Sequence, residues 1–454
     1  MNENQMEKSV NELKQSLQGK VLQRADEGYD EAKAIWNGAV TVLPALIIIP
    51  ETAKDVQAAV LYAGKNNLPL SVLGGGHDWA GRALNQDGVL ISLRKLKTIQ
   101  IDGDAKIAQV GGGVISRELI AAADPYDLVA VTGTMDVVGF AGLTLGGGYG
   151  PLSPSYGLAL DNLLGVEIVL HDGSLVNANA NENADLFWAL RGGGGNFGVV
   201  TSMQVKLHPA KSIVAGMMFF PFDQANKVLR SYNKFIQSAP DELSIQAGIV
   251  SGPDQIPLLY LLPTWYGETN EGKKQIAAIE KFGTPVMTQI APMRYKEVIA
   301  LFDEHVGTGF PCEIQTRWLS DLNDHALEKI ITAGAEKTSS MSAIIISHFR
   351  GAAARVNLTD TAFGLRKPHF MLEFVAVWEK QDSTNGQIHQ QWVRDLSASL
   401  ITDALAGGYP NILGPDEHQQ ISKAYGENLE RLQQIKSKYD PSNMFKAISI
   451  PFSK

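Results

Sequence analysis

Short apolar runs separated by turn residues recur through the first 210 residues and predict β-strands. The runs are AVTVLPALIIIP, GVLISL, LLGVEIVL and FGVVTSMQVKL, at residues 39–50, 88–93, 163–170 and 197–207. The first run is interrupted by Pro44 and is too short to cross a bilayer, so it is interpreted as a buried strand. A helix is predicted from Thr52 to Asn66, because its apolar residues recur at intervals of three and four. Those residues are Val56, Ala59, Val60 and Ala63.

The pattern changes near residue 211, where helical segments such as 223–238 begin to alternate with strand-like ones such as HFMLEFVAVW at 369–378. This change predicts a second domain of a different kind. The last segment carries a helical stripe that ends at Asp440-Pro441, because the residue before a proline disfavours helix. The stripe consists of Tyr425, Leu429, Leu432 and Ile435. No internal repeat and no low-complexity linker is found.

Composition narrows the classes of function. A chain of 454 residues with 44% hydrophobic residues fits two or three soluble domains better than one core. The formal charge of -9, without long runs of Lys or Arg, argues against a nucleic-acid partner and favours small-molecule ligands. The N-terminal 20 residues lack the apolar stretch of a secretory signal or membrane anchor, and the one cysteine, Cys312, excludes an internal disulfide, so we expect a cytoplasmic protein. Nine histidines occur without HExxH or comparable spacing, so no metal site is expected.

Glycine clusters are the main chemical signal of the first half. They lie at 74–76, 111–113, 139–150 and 192–198. The cluster GGGH follows the strand-like LPLSVL, and three bare residues there expose backbone N–H groups that can cradle an anion such as pyrophosphate. The segment continues into polar and turn residues and so differs from the GxGxxG fingerprint, which opens a helix. Taken alone, it could equally be a glycine-rich turn with an incidental histidine.

Two further clusters strengthen the interpretation as a ligand site. VGFAGLTLGGGYG at 138–150 and RGGGGNFGVVTS at 191–202 are interpreted as additional loops of bare backbone. Three such loops in one domain indicate a long ligand enclosed by main chain. A flavin dinucleotide, with its pyrophosphate, adenine and wide ring, is the natural candidate.

The combination resembles the berberine-bridge-enzyme-like flavoproteins, a family of FAD-linked oxidases with the vanillyl-alcohol-oxidase flavin-binding fold. The matching stretches are LGGGHDWAG, VGFAGLTLGGGYG, YGLALDNLLGVEIVLHDG, DLFWALRGGGGNFGVVTS and YGENLERLQQIKSKYDPSNMF, in the order of the family from about residue 40 to 446. The resemblance implies an α+β fold, with a two-part α/β FAD-binding domain of PCMH type and a substrate domain whose antiparallel sheet is covered by helices. The implied division is 1–210, 211–405 and 406–454, the last segment returning to the FAD-binding domain.

The resemblance also implies how FAD is held. In the family the histidine after the glycines is bonded to the 8α-methyl of the flavin, which makes His77 the anchor. Many relatives add a cysteine bond at the position of Met135, and Cys312 is expected far away in the second domain, so attachment through His77 alone is expected. The other residues implied to lie near the cofactor are Gly74, Gly75, Gly76, Asp78, Val138, Gly139, Gly142, Gly146, Gly147, Gly148, Asp161, Asn162, Gly198, Val200 and Asn443. For Asp161 and Asn162 a turn or helix cap is an equal alternative.

Three residues are candidates for the chemistry. In the strand 370–378, Glu373 is the one ionisable group on its face, and apolar surroundings would raise its pKa toward that of a general base. The alternatives are an ion pair with Arg355 or Arg366, or exposure to solvent. Relatives carry Glu or Gln at the matching position, and they also carry tyrosines at the positions of Tyr149 and Tyr409. A tyrosinate at either position could deprotonate an alcohol, and a buried structural tyrosine is the alternative.

The sequence predicts an FAD-dependent oxidase of a sugar or secondary metabolite. In the family the residue at Val138 is thought to gate oxygen, and its small size favours O2 as acceptor with release of H2O2. Two alternatives stay open: a dehydrogenase or redox-neutral cyclase of the same fold, and a non-catalytic flavin-binding protein.

Overall fold

The computed structural model describes residues 3–301, 307–382 and 386–451. It is a mixed α+β structure with three sheets. The first sheet has the order β1-β2-β4-β3, in which β1 runs antiparallel to β2 and the other pairs are parallel. Its strands are β1 (Lys20–Gln23), β2 (Leu46–Ile49), β3 (Leu70–Leu73) and β4 (Val89–Ser92).

The second sheet is antiparallel, with the order β5-β6-β10-β8-β9 and β7 paired to the far end of β10. Its strands are β5 (Ile99–Asp102), β6 (Ile107–Gly111), β7 (Leu128–Ala130), β8 (Leu163–Val169), β9 (Leu175–Asn179) and β10 (Val199–Pro209). The first two sheets thus comprise residues 20–209.

The third sheet is antiparallel throughout, with the order β14-β11-β13-β12-β16-β17-β15. Its strands are β11 (Ile213–Pro221), β12 (Leu243–Ser251), β13 (Pro257–Tyr266), β14 (Met287–Met293), β15 (Cys312–Leu319), β16 (Ala343–Phe349) and β17 (His369–Val377). The change of pattern near residue 211 therefore coincides with the start of a different sheet. The division of the chain into domains stays a prediction.

Helices cover these sheets. In chain order they are α1 (Glu3–Ser16), α2 (Tyr29–Lys33), α3 (Ala53–Lys65), α4 (Ser116–Ala123), α5 (Phe140–Gly146), α6 (Ser153–Tyr156), α7 (Ala184–Gly193), α8 (Ala225–Ile236), α9 (Thr269–Glu280), α10 (Tyr295–Ile299), α11 (Asp324–Ala335), α12 (Ala352–Arg355), α13 (Gly386–Ser399), α14 (His418–Ile421) and α15 (Leu429–Tyr439). Within the described parts of the chain, no helix combines the length and apolarity needed to span a bilayer. The same residues include no group of three or more His, Cys, Asp or Glu placed to bind a metal.

The helix predicted at 52–66 is confirmed as α3, with Thr52 as its N-cap and Asn66 as its C-cap. Thr52 and Asp55 form a reciprocal capping box, which satisfies backbone donors that a helix start leaves unpaired. The predicted apolar face is fully buried: Val56, Ala59, Val60 and Ala63 each have 0% exposure. The helix packs against the first sheet in one core.

The alternation predicted for 370–378 is confirmed in β17. Phe370, Leu372, Phe374 and Ala376 lie in the core between the third sheet and its helices, with no solvent exposure. The alternate residues lie on the opposite face of the sheet, toward the first half of the chain. Glu373 is on that opposite face, opposite Thr316 of β15 and Ile345 of β16.

The C-terminal stripe forms α15, although Tyr425 precedes the helix proper, and the helix ends with Asp440 as its C-cap. Its buried face packs into the core of the second sheet beside α7. The C-terminal helix therefore packs against the first half of the chain.

Candidate active site

One continuous cavity lies between the third sheet and the first half of the chain, with a volume of about 2210 Å³ including its opening to solvent. Its walls include the segment from Leu70 to Arg82, the residues around the start of α5, the loop between α7 and β10, and the face of β15–β17 that is turned away from the helices. Tyr409, Asn411 and Ile412 also line it, as do residues 445–448. The cavity brings together distant parts of the sequence, which is the arrangement expected for a cofactor and a substrate that must meet.

The GGGH segment follows β3, and its backbone is in direct contact with the backbone at the start of α5. A Cβ on Gly75 would lie 2.3 Å from the amide nitrogen of Gly139, and a Cβ on Gly139 would lie 2.4 Å from that of Gly75. Such distances are too short for any side chain, so both positions require glycine to let the loops cross. Gly76 has a φ of +81°, a left-handed conformation that also favours glycine.

The residues around this crossing fit an anionic cofactor. The backbone amides of residues 75–78 donate to no acceptor in the described parts of the chain. The Ser71 hydroxyl and His77 Nε2, both from residues that line the cavity, are buried without a hydrogen-bond partner. Buried polar groups normally have partners, so these unsatisfied groups indicate a bound molecule that supplies them.

His77 lies in the wall of this cavity, with its ring stacked on Trp36 at 4.7 Å between centroids. Burial lowers the pKa of His77 to about 4. The imidazole is therefore neutral near pH 7, which is the form that can act as a nucleophile. The stacking also fixes the plane of the ring.

Asp78 lines the cavity and is held by an ion pair with Arg82. Arg82 also donates to the carbonyl oxygens of Pro410, Asn411 and Leu413, at 2.8–3.3 Å. The pair thus ties the segment after GGGH to the C-terminal part of the chain. Its evident task is to position that segment.

Met135 and Cys312 bear on a second covalent bond to the cofactor. Met135 lines the cavity, whereas Cys312 does not. The expectation that Cys312 is remote is wrong in space, because it packs in one cluster with Trp36 and Trp79. The thiol of Cys312 is buried, and burial raises its pKa. Cys312 is therefore protonated near pH 7, and a protonated thiol is a weak nucleophile.

The second glycine cluster differs from the predicted open loop, because Phe140–Gly146 is the helix α5. Of its predicted cofactor residues, Val138, Gly139 and Gly142 line the cavity. The other three do not, because each faces protein. Their Cβ positions point at Asn411 for Gly146, Tyr409 for Gly147 and Ala159 for Gly148. These three glycines allow close packing of the neighbouring side chains.

Asp161 and Asn162 also lie away from the cavity, so their assignment to the cofactor is corrected. Asp161 accepts from the backbone of Leu158 and forms a buried bidentate ion pair with Arg366. Asn162 is hydrogen-bonded to His208 Nε2 at 2.7 Å. Both have the structural role that was the alternative.

In the third cluster, Gly198 and Val200 line the cavity together with Gly194 and Gly195, and their contact with the cofactor stays a prediction. Asn443 does not line it, because it forms a turn whose amide donates to the Asp440 carbonyl. The stretch just after it, residues 445–448, lines the cavity instead. None of these four residues was among the predicted cofactor residues.

The third sheet contributes an almost entirely apolar wall. Its cavity-lining side chains are Ile314, Ala343, Ile345, Met371, Val375 and Val377, with Glu373 among them. Glu373 makes no ion pair or hydrogen bond within the described chain: Arg355 pairs with Asp241, and Arg366 with Asp161. Burial raises the pKa of Glu373 to about 7.

Tyr149 and Tyr409 both line the cavity, with ring centroids 4.8 Å apart. Burial raises the pKa of Tyr409 to about 12, and burial followed by the neighbouring Tyr409 raises that of Tyr149 well above its usual value. Both are therefore neutral phenols near pH 7, which argues against a tyrosinate base. Sequence reasoning also missed His369, whose Nε2 lies 3.2 Å from the Tyr149 hydroxyl.

Comparison with known families agrees with this geometry. Residues 44–179 match the model described as "FAD binding domain", and residues 408–449 match the one described as "Berberine and berberine like". The two matched regions include the GGGH segment, the start of α5 and residues 445–448, all of which line the cavity.

Relatives match over nearly the whole chain. An FAD-linked oxidoreductase from Dictyostelium discoideum is 30% identical over 96% of this chain and 95% of its own. The (R)-6-hydroxynicotine oxidase of Paenarthrobacter nicotinovorans is 30% identical over 95% of this chain and 96% of its own.

Solved structures share the fold. The 6-hydroxy-D-nicotine oxidase from Arthrobacter nicotinovorans superposes with a TM-score of 0.87 at 30% identity, covering 96% of this chain and 98% of its own. Glucooligosaccharide oxidase from Acremonium strictum superposes with a TM-score of 0.88 at 25% identity, covering 98% of this chain and 99% of its own. With the glycine crossing, the unsatisfied groups and the family matches together, this chain belongs to the berberine-bridge-enzyme-like family of FAD-linked oxidoreductases.

Proposed function

We propose that this enzyme oxidises a small, largely apolar molecule at a hydroxyl or an amine, with Glu373 as the general base. The observation that carries the proposal is the wall of the third sheet, where one unpaired carboxyl lies among aliphatic side chains. A sugar presents many hydroxyls and would need several hydrogen-bond partners on that wall. The wall therefore favours the apolar alternative, closer in character to a hydroxynicotine than to an oligosaccharide.

His77 is proposed as the single covalent anchor of FAD. Its neutral imidazole, its place in the cavity wall and its unsatisfied Nε2 support this role. Met135, at the position where the resemblance implies a second bond, lines the cavity, and its thioether is a poor nucleophile beside a thiolate. The backbone amides of residues 75–78 would supply donors for the pyrophosphate, and Gly194, Gly195, Gly198 and Val200 with residues 445–448 would hold the rest of the dinucleotide.

The reaction divides between the cofactor and the chain. When bound, FAD would supply the acceptor for the hydride that leaves the substrate carbon. Glu373 takes the accompanying proton from the substrate O–H or N–H, so that a C–H and an O–H or N–H bond are broken and a C=O or C=N bond forms. The aliphatic wall excludes water from the reacting atoms. Dioxygen is proposed as the electron acceptor with H2O2 as product, and the small side chain of Val138 in the cavity wall supports its access.

A denaturing gel viewed for flavin fluorescence tests the anchor. We expect fluorescence to migrate with the wild-type chain and to vanish in His77→Ala, while the control His171→Ala, outside the cavity, keeps it. Mass measurement should find one FAD added and no second linkage. Fluorescence that persists in His77→Ala contradicts the anchor.

Turnover tests the substrate class and the acceptor. Anaerobic holoenzyme is mixed in parallel with aryl alcohols, cyclic secondary amines and cello-oligosaccharides, and the flavin absorbance is followed. We expect bleaching by a member of the apolar sets, followed by one H2O2 per turnover when air is admitted. Bleaching by the oligosaccharides alone contradicts the apolar class, and recovery without peroxide contradicts O2 as acceptor.

A further inference from the structure

His369 is the first residue of β17 and has no solvent exposure, and it lies behind the cavity wall rather than in it. Its Nδ1 lies 2.7 Å from the carbonyl oxygen of Lys367, and its Nε2 lies 3.2 Å from the Tyr149 hydroxyl. The ring also stacks on Phe349 at 4.7 Å, which fixes its orientation. These contacts decide where its proton is.

A carbonyl oxygen can only accept a hydrogen bond, so His369 Nδ1 must carry a hydrogen. Burial lowers the pKa of His369 to about 4, so near pH 7 the ring carries one hydrogen. Its Nε2 is then a bare acceptor, and the Tyr149 hydroxyl must donate to it. The proton of Tyr149 is thereby directed away from the cavity.

The oxygen of Tyr149 retains two lone pairs. The indole N–H of Trp318, which has no other partner among the described residues, lies close enough to one of them to lower the pKa of Tyr149 by hydrogen bonding. Tyr149 lines the cavity, so its other lone pair can accept from a bound molecule. The Tyr149 hydroxyl has no hydrogen left to donate to that molecule, because its hydrogen is bonded to His369 Nε2.

Tyr409 has the opposite hydrogen-bonding role, because its oxygen is already an acceptor for protein donors. Its hydroxyl oxygen accepts from the Gly148 amide at 2.9 Å and from Asn411 Nδ2 at 3.1 Å. Both lone pairs are then occupied, and its remaining capacity is its own O–H. The two neighbouring tyrosines thus offer the cavity one acceptor and one donor.

We infer that His369 is a positioning residue that makes Tyr149 an obligate hydrogen-bond acceptor, so that the site selects molecules that bring an O–H or N–H donor to Tyr149. The inference rests on the proposed function in that it places the substrate against Tyr149. It assigns Tyr149 to recognition, and it leaves removal of the proton to Glu373.

Nuclear magnetic resonance of the holoenzyme labelled with 15N-histidine tests the tautomer directly. We expect one neutral ring protonated on Nδ1 near pH 7, its signals identified by their absence in His369→Gln. A ring protonated on Nε2 overturns the inference, because it would donate to Tyr149. This readout needs neither substrate nor turnover.

Binding of phenol and anisole to the holoenzyme, followed by perturbation of the flavin absorbance, tests the recognition. The two probes have the same ring, and only phenol carries a donor. We expect phenol to bind roughly three- to tenfold more tightly in the wild type, the range for one hydrogen bond. The preference should disappear in Tyr149→Phe and His369→Leu, and persist in His369→Gln, whose amide oxygen can still accept from Tyr149.

The control is Tyr425→Phe, which removes the unpartnered hydroxyl of another buried tyrosine outside the cavity and should keep the preference. Equal binding of the two probes by the wild type, or a preference that survives in Tyr149→Phe, overturns the inference. Since neither probe needs to be oxidised, the preference can hold even if the turnover experiment contradicts the proposed function.

Discussion

A carboxyl group and two phenols in the same cavity respond to burial in different ways. Burial disfavours the charged form of each, which raises the pKa of Glu373 to about 7 and that of Tyr409 to about 12. A general base works best when its pKa is near the working pH. Glu373 meets that condition, whereas both tyrosines would remain protonated. Their hydroxyls are better suited to hydrogen bonding with what is bound.

Replacing Glu373 with Gln removes the base while keeping the shape of the side chain. We expect kcat/KM to fall roughly 100- to 10,000-fold, the usual contribution of a general base. In the wild type kcat/KM should rise with pH through about 7, because the carboxylate is the active form. The variant should lack that limb. A variant with the wild-type pH profile would contradict the assignment.

Glu373 also predicts a pH dependence of stability. Its pKa is higher in the folded than in the unfolded state, so the folded protein holds the proton longer and loses stability as pH rises from the ordinary glutamate value through about 7. Glu373→Gln escapes this loss. The thermal midpoint of the variant minus that of the wild type should therefore increase from about pH 5 to about pH 8. A difference that is constant across this range would show that the carboxyl is not desolvated.

At the scale of elements, the site depends on two loops that cross with no room for a side chain. Gly75→Ala would place a Cβ 2.3 Å from the Gly139 amide nitrogen, and we expect a loss of roughly 1–3 kcal/mol or more in stability. Gly142→Ala is the matched comparison, because Gly142 lies inside α5 and, among the described residues, no atom beyond its own helix backbone lies within 4 Å of its Cβ position.

Gly142→Ala should leave the thermal midpoint unchanged or raise it, since alanine favours helix by up to about 1 kcal/mol over glycine. Because Gly142 lines the cavity, we expect its flavin content to fall. Thermal denaturation and the ratio of flavin to protein absorbance measure both effects. Equal destabilisation by the two substitutions would contradict the crossing.

At the scale of the whole molecule, the buried Lys436 connects the C-terminal segment that lines the cavity to the loop after α7. Lys436 pairs with Asp440 and donates to the carbonyl oxygens of Asn196 and Phe445 at 2.7 and 2.6 Å. Asp440 in turn accepts from the amide of Phe445 at 2.9 Å. These bonds hold residues 445–448 beside the loop after α7.

Lys436→Met leaves the Asp440 carboxylate buried without its cation, and we expect a loss of about 3–5 kcal/mol. We also expect weaker retention of flavin, because the segment lining the cavity is released. The control is Lys438→Met, which breaks an exposed pair with Asp185 and should cost at most about 1 kcal/mol. Chemical denaturation compares the two, and similar losses would contradict the fastening role.

Much of the fold could be predicted from residue patterns. The face of α3, the two faces of β17 and the end of α15 follow from the spacing of apolar residues and from a proline, which act locally. The glycine clusters, GGGH among them, also identified segments that line the cavity. They could be recognised locally, because residues without side chains permit close backbone contacts. The family matches confirm the FAD-linked fold.

What the sequence alone determined is the set of elements and the chemistry available on each: a histidine after bare backbone and a carboxyl on an apolar strand face. The tertiary structure decided which of these groups face one another. Gly146, Gly147 and Gly148 face protein side chains, and residues 445–448 line the cavity. His369 is hydrogen-bonded to Tyr149, which lies 220 residues away in the sequence. Such contacts depend on long-range packing, which the spacing of residues along a chain does not encode.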